Sequence, residues 1–155
     1  MGLLALLCTA FDQASKAVVR AMLLPGQSVP LVTGVLNLTR VNNTGVAFSL
    51  FNRHPSWMLI LTVILFGVFL IFGLKSLSEN PAGNHRQETI GFGLVLGGAA
   101  GNILDRLLQG RVTDFIDVTC IHYPVFNLAD SFICIGVALL VWHGFRRESA
   151  GNGNS

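Results

Sequence analysis

The chain has 155 residues, of which 52% are hydrophobic and 12% charged, and its formal net charge is +2. The apolar residues gather in long runs, which excludes an ordinary water-soluble domain and points to membrane spans, while the scattered basic residues form no patch suited to nucleic acid. The length suits one compact bundle with a small extramembrane piece, hence a single domain over 1–155.

In chain order, a first span is predicted over 2–24, interrupted by Asp12, Lys16 and Arg20. It is read as retained rather than as a cleaved signal peptide, because it lacks a basic start and has charges where a small-residue cleavage site belongs. Asp12 and Lys16 stand four apart, acid before base, so they can pair along one helical face. A neutralising ion pair is as good a reading of them as a functional one.

Residues 25–56 differ in kind. Gly, Pro and Asn punctuate short β-prone runs at 29–33 and 35–41, predicting a small extramembrane sheet. A second span follows over 57–74. No residue from 55 to 74 is charged, and as a helix at ~1.5 Å per residue that run covers the ~30 Å of a bilayer core. Residues 76–87 carry Asn80-Pro81 and Gly83-Asn84, the chemistry of a polar turn between antiparallel helices.

A third span is predicted over 89–108. It holds Gly93, Gly97 and Gly101 at a spacing of four, a packing ridge that lets helices approach closely and presses the following turn, from Asn102 to Arg106, against a neighbour. The fourth span, over 125–145, contains Asp130. The tail over 148–155, rich in Ser, Gly and Asn, is expected to be disordered.

Cys8, Cys120 and Cys134 are odd in number and widely spaced, so they are read as packing residues rather than as a disulfide framework or metal site. His54, His85, His122 and His143 show no His-Glu-x-x-His spacing. No metal and no cofactor is expected. Lys and Arg do not decide orientation, since Lys75, Arg86, Arg146 and Arg147 fall on one side of a four-span chain and Arg40, Arg53, Arg106 and Arg111 on the other. No internal repeat is visible, which counts against inverted-repeat transporters.

An ionisable group at the bilayer centre costs at least ~2.5–3.5 kcal/mol on insertion scales, so those within spans are candidate functional residues. Asn102, Asp105 and Arg106 share a face at the end of the third span, where Arg106 can pair with a carboxylate or reach toward water. Asn127, Asp130, Ser131 and Cys134 follow the i, i+3, i+4, i+7 pattern of one helical face. Asp130 has no basic residue within a turn of its own helix, so its stabilisation comes from elsewhere in the bundle or from protonation.

Residues 112–118 alternate. As a strand they would point Asp114 with Val112, Ile116 and Val118, and send Asp117 toward water. Two carboxylates held close in a water-restricted site share a proton at neutral pH, which is the chemistry of an aspartic protease. One takes a proton from the attacking water while the other donates to the carbonyl oxygen. Spacing alone leaves an Asp114–Asp130 pair as one arrangement among several.

Five segments together resemble the motifs of the lipoprotein signal peptidase (signal peptidase II, prolipoprotein signal peptidase) family. They are Asp12-Gln13-Ala14-Ser15-Lys16; Asn43-Thr44-Gly45-Val46-Ala47-Phe48; the run from Gly97-Gly98 through Asn102-Ile103-Leu104-Asp105-Arg106; Gly110-Arg111-Val112-Thr113-Asp114-Phe115; and Phe126-Asn127-Leu128-Ala129-Asp130-Ser131. Each is short, but their order with spans between them covers nearly the whole chain.

The resemblance implies an α-helical membrane protein with four transmembrane helices and a small extracytoplasmic β-cradle. It implies a multi-pass protein of the bacterial cytoplasmic (inner) membrane with both termini cytoplasmic and the active site near the outer face. It further implies Asp114 and Asp130 as catalytic residues, with Asn102, Arg106, Asn127, Asp12, Lys16 and Asn43 binding substrate or supporting the pair. The implied partners are membrane lipid and a prolipoprotein whose cysteine carries diacylglycerol, cut on the N-terminal side of that cysteine; a monomer is expected. If Asp12 lies near the outer surface, the eleven residues before it cover only ~16 Å as a helix, so an upstream start with basic residues is also expected.

Two other readings compete. A small transporter would use the same acidic residues as a proton relay. A serine–lysine peptidase would use Ser15 or Ser49 with Lys16, although adjacent Ser15 and Lys16 point in different directions on a helix.

Overall fold

The structure, a computed structural model, describes residues 1–45, 56–79 and 85–152. Among the described residues there are four α-helices: α1 (Gly2–Met22), α2 (Ser56–Glu79), α3 (Arg86–Gln109) and α4 (Leu128–Asn152). Strands β1 (Ser28–Val32) and β2 (Leu36–Asn43) lie between α1 and α2, and β3 (Val112–Asp117) follows α3. A single 3-10 turn, Thr119–Ile121, precedes α4.

The helices are patterned inside out. The buried positions of α1 are Cys8, Asp12, Lys16 and Val19, one face of a helix, whereas Leu3, Leu6, Leu7, Phe11 and Met22 are exposed. Lipid solvates those apolar side chains, and the polar ones find partners only inside the bundle. Among the described residues, Gly2–Met22, Trp57–Ser76 and Leu128–Arg146 are long and apolar enough to cross a membrane. At 24 residues α3 is long enough too, but its glycines, Arg86, Glu88, Asp105 and Arg106 dilute its apolar character.

That dilution is what makes α3 the centre of the bundle. It packs against α1, α2 and α4, while α2 rests chiefly on α3. The glycine ridge expected from the spacing of four does its work against α1: a Cβ on Gly97 would lie 2.6 Å from Cys8 Cβ, and one on Gly101 would strike the Asp12 carboxylate. Gly98, on another face, meets the Ala129 carbonyl of α4. Backbones therefore approach closely on two sides of α3, and Asn102 and Asp105 are carried into the interior.

The strands form one antiparallel sheet of order β1-β2-β3. The chain leaves α1 through a Pro25-Gly26 turn, with Gly26 at φ +82° and the Gln27 N–H donating to the Leu24 carbonyl at 2.9 Å. A Pro followed by a residue of positive φ is the sequence of a type II turn. The Arg40 guanidinium donates to the Arg20 and Leu23 carbonyls at 3.1 and 2.7 Å, satisfying acceptors that the end of α1 leaves open. The sheet seats on α1 through Val19, Leu23 and Phe115, flanked by Leu38, Ile116 and Leu128.

Several expectations shift. The strands begin and end within two residues of the predicted positions. The fourth helix begins at Leu128 rather than 125, because Phe126 is drawn into a bridge with Ile116. It extends to Asn152, into the tail expected to be disordered, since each residue added to a formed helix gains a backbone bond. The alternation read over β3 does not describe its burial: Val112, Thr113, Asp114 and Phe115 are all buried, because α1 covers one face and the site the other. Asp117, expected to face water, is half-buried and accepts from the Thr39 hydroxyl at 2.6 Å. Residues 46–48 of the second motif and 80–84 of the turn expected over 76–87 lie outside the described residues, while 76–79 and 86–87 are helical.

Candidate active site

Two elements that both contact α3, namely β3 and α4, bring the carboxylates together. In β3, Asp114 is paired across the sheet with Val41; Asp130 sits in the first turn of α4. Between them stands Asn127. Its side-chain amide donates to Asp114 Oδ1 at 2.7 Å and to Asn102 Oδ1 at 3.2 Å. Its backbone N–H donates to Asp130 Oδ2 at 3.2 Å, and its side-chain oxygen accepts from the Asp130 N–H at 3.1 Å.

This last exchange is a capping box. Asn127 is the residue before the helix and Asp130 the third within it, and each satisfies the other's open N–H. The carboxylate is thereby fixed at the positive end of α4. The remaining oxygens are also held: Asn102 donates to Asp130 Oδ1 at 2.9 Å, and Asn43 donates to Asp114 Oδ2 at 2.8 Å.

A buried charge cluster supports these amides. Lys16 lies 2.8 Å from Asp12 and 3.2 Å from Asp105, and donates to Asn102 Oδ1 at 3.0 Å. Asp12 accepts from the Ala129 N–H of α4 at 3.0 Å; Asp105 accepts from the Thr113 N–H of β3 at 3.0 Å. Arg20 reaches Asp105 at 3.4 Å and the Thr113 hydroxyl at 3.3 Å. Two carboxylates and two cations balance, and each acid also ties down a backbone N–H next to a candidate catalytic residue. Buried ions persist only when paired and hydrogen-bonded in this way.

Burial pushes the Asp114 carboxyl up to about 6. The hydrogen bonds from Asn43 and Asn127 act against burial, the nearby Asp130 charge adds to it, and the Lys16 charge opposes it. A carboxyl so placed can hold or release a proton near neutral pH. Arg106, whose guanidinium donates to the Asn102 carbonyl at 3.3 Å, shares a cavity of about 260 Å³ with Asn102, Asp130, α2 and α4.

All eight residues that the family resemblance names lie in this one constellation. Two features escaped that reading. Arg20 and Asp105 join the buried cluster from 85 residues apart, a contact no local pattern announces. Asn127 caps α4 instead of lying on its face, and the signal was available as Asn-x-x-Asp ahead of an apolar run. Ser15 donates to the Asp12 carbonyl within its own helix at 2.7 Å, and Lys16 is committed to two carboxylates, so this pair has no serine–lysine geometry; Ser49 lies outside the described residues. Among the described residues, no three His, Cys, Asp or Glu side chains are placed to hold one metal ion.

Known proteins resemble this chain over most of its length. The family described as signal peptidase (SPase) II matches residues 4–146. The chain belongs to the signal peptidase II family. The chain is 46% identical to a lipoprotein signal peptidase of Cyanothece sp. over 121 residues, covering 78% of this chain and 67% of that protein. It is 42% identical to a lipoprotein signal peptidase of Gloeobacter violaceus, covering 95% of this chain and 82% of that protein. Among solved structures, a bacterial membrane enzyme determined by the in meso method at 2.3 Å resolution superposes with a TM-score of 0.81 at 31% identity, covering 96% of this chain and 88% of that one.

Proposed function

We propose that this chain is an intramembrane aspartic endopeptidase that removes signal peptides from diacylglyceryl-modified bacterial prolipoproteins, cutting on the N-terminal side of the lipidated cysteine. The observation that carries the reading is the bridge at Asn127, which bonds to both Asp114 and Asp130. Membership of the signal peptidase II family supplies the substrate class.

In this mechanism the two carboxylates share one proton. The ionised one accepts a proton from water as the water oxygen adds to the scissile carbonyl carbon, and the protonated one donates to the carbonyl oxygen. Collapse of the tetrahedral intermediate breaks the C–N bond and passes a proton to the leaving amine of the lipidated cysteine. Asn43, Asn102 and Asn127 hold the carboxylates, and Arg106 faces the substrate from the wall of the cavity it shares with Asp130. Asp12 and Lys16 act one step further out.

Four crossings are part of the proposal. The sheet draws β1 and β2 from the α1–α2 connection and β3 from the α3–α4 connection, so both connections lie at one end of the bundle. At the other end Glu88 of α3 meets Ser76 of α2 and His143 of α4. Neighbouring helices thus run in alternate directions, which favours α3 as a span despite its glycines. Both termini then lie on the cytoplasmic side of the inner membrane, with the sheet and the carboxylates toward the outer face and the protein working as a monomer.

The deciding experiment is cleavage of a diacylglyceryl-modified prolipoprotein by the purified protein, set beside Asp114→Asn and Asp130→Asn at matched folding. Cleavage before the lipidated cysteine that disappears in both variants supports the reading. A variant that still cuts removes its aspartate from the mechanism, and a wild type that never cuts removes the function.

A further inference from the structure

Among the described residues, three cavities that border the carboxylate pair differ in chemistry. Asp114 borders one of about 250 Å³ whose walls include the polar end of β2 at Asn42, Asn43 and Thr44. Asp130 borders the other two. One is the cavity shared with Asn102 and Arg106. The other, of about 460 Å³, lies between the Thr119–Ile121 turn and α4, walled by Val118, Ile121, Tyr123, Phe126, Cys134 and Ile135.

We infer that this third cavity seats an acyl chain of the substrate's diacylglyceryl group. The inference rests on the peptidase reading above and assigns one branch of that substrate to one wall of the site. The polar groups of Ser131, Asp130 and Phe126 at the cavity are already committed: the Ser131 hydroxyl donates to the Asn127 carbonyl, Asp130 accepts from Asn102 and Asn127, and the Phe126 N–H and carbonyl are both bonded to β3. A peptide segment laid here would leave its own N–H and C=O groups without partners, which is costly away from water. An alkyl chain asks for none.

Access and size agree. Ile121, Tyr123 and Ile135 are 67, 54 and 53% exposed, so the cavity opens onto the apolar surface, and a chain can enter from the bilayer without crossing water. The volume falls within the ~300–1,000 Å³ of small-ligand cavities. The inner end at Asp130 is where the chain has to begin, because diacylglycerol hangs from the cysteine beside the scissile bond.

Cys134, one turn beyond Asp130 and outside the catalytic constellation, allows the test. Synthetic prolipoprotein peptides carrying dipalmitoyl or dioctanoyl glyceryl cysteine are cleaved by wild type, Cys134→Ala and Cys134→Phe. A phenyl ring in the cavity should lower kcat/KM for the dipalmitoyl substrate at least about tenfold, chiefly through KM, and lower it less for the dioctanoyl substrate, whose shorter chains have fewer methylenes to lose from the cavity, each worth about fourfold in binding. Cys134→Ala should retain the wild-type preference. Equal loss on both substrates, or loss on neither, overturns the assignment while leaving the peptidase in place. A wild type that cuts neither substrate removes both.

Alkylation gives a second readout. Bound dipalmitoyl substrate should slow labelling of Cys134 while Cys120, exposed on the adjoining turn, labels at its free rate. Protection of Cys134 by an unlipidated signal peptide instead would give the cavity to the signal segment and overturn the acyl assignment.

Discussion

The Lys16 ammonium donates to Asn102 Oδ1 at 3.0 Å, and the amide of the same Asn102 donates to Asp130 Oδ1 at 2.9 Å. A cation on α1 thus orients an amide on α3 that holds a candidate catalytic carboxylate on α4. The same ammonium neutralises Asp12 and Asp105, both fully buried.

Lys16→Met should therefore be among the most damaging single changes. It leaves Asp12 and Asp105 facing each other with only Arg20 nearby, and breaking a buried ionic cluster from one side costs ~3–5 kcal/mol. Thermal unfolding in detergent should show a large drop in Tm. Partial recovery is expected on adding Asp12→Asn, which removes one uncompensated charge; a Tm that stays near wild type in Lys16→Met would contradict the buried cluster.

Asn127 separates stability from activity. Asn127→Ala loses a helix cap, worth ~1 kcal/mol, and also the side-chain bonds to Asp114 and Asn102. Asn127→Ser should restore most of the capping because serine is a good N-cap, but its shorter side chain cannot reach both partners. We expect Ser to regain Tm relative to Ala while kcat stays down by about 10²-fold, the scale of lost positioning in active sites. Activity that recovers together with Tm would mean that Asn127 serves the helix alone.

The pH profile follows from Asp114. Its carboxyl is raised to about 6 by burial, so in the proposed mechanism the shared proton is lost as pH climbs through that value. The alkaline limb of kcat/KM should report it, as an apparent value belonging to the pair. The Asn43 bond favours the ionised form and works against burial, so Asn43→Ala should move the limb to higher pH. A shift to lower pH would show that Asn43 has another role.

These expectations rest on features of unequal legibility in the sequence. The stretch over 57–74 announces α2 because an uncharged apolar run of that length is long enough to span and, in lipid, must satisfy its backbone within a helix. The third helix is harder: it exchanges apolar bulk for glycines and charges, and its position follows from the ridge of small residues rather than from hydropathy. Asp114 and Asp130 stand out as costly residues, yet their meeting is a tertiary fact that motif resemblance anticipates and spacing does not. The alternation over β3 misleads because α1 and the site bury both faces of the strand. Arg20 looks like an interruption of an apolar span, and its partner Asp105 lies 85 residues away; only packing brings them together.

The glycine ridge gives a paired test of that packing. A methyl on Gly101 would collide with the Asp12 carboxylate, whereas one on Gly67 of α2 meets nothing within 4 Å. Alanine is the better helix former by about 1 kcal/mol in open space, so Gly67→Ala should leave Tm unchanged or raise it. Gly101→Ala should lower stability by ~1–3 kcal/mol through overpacking and push Asp12 off Lys16 and the Ala129 N–H, loosening the start of α4 at Asp130. Activity should then fall further than Tm alone accounts for, measured as initial cleavage rate well below the melting temperature. Equal, small effects at both glycines would mean that α1 and α3 are not in the close contact that delivers Asn102 and Asp105 to the interior.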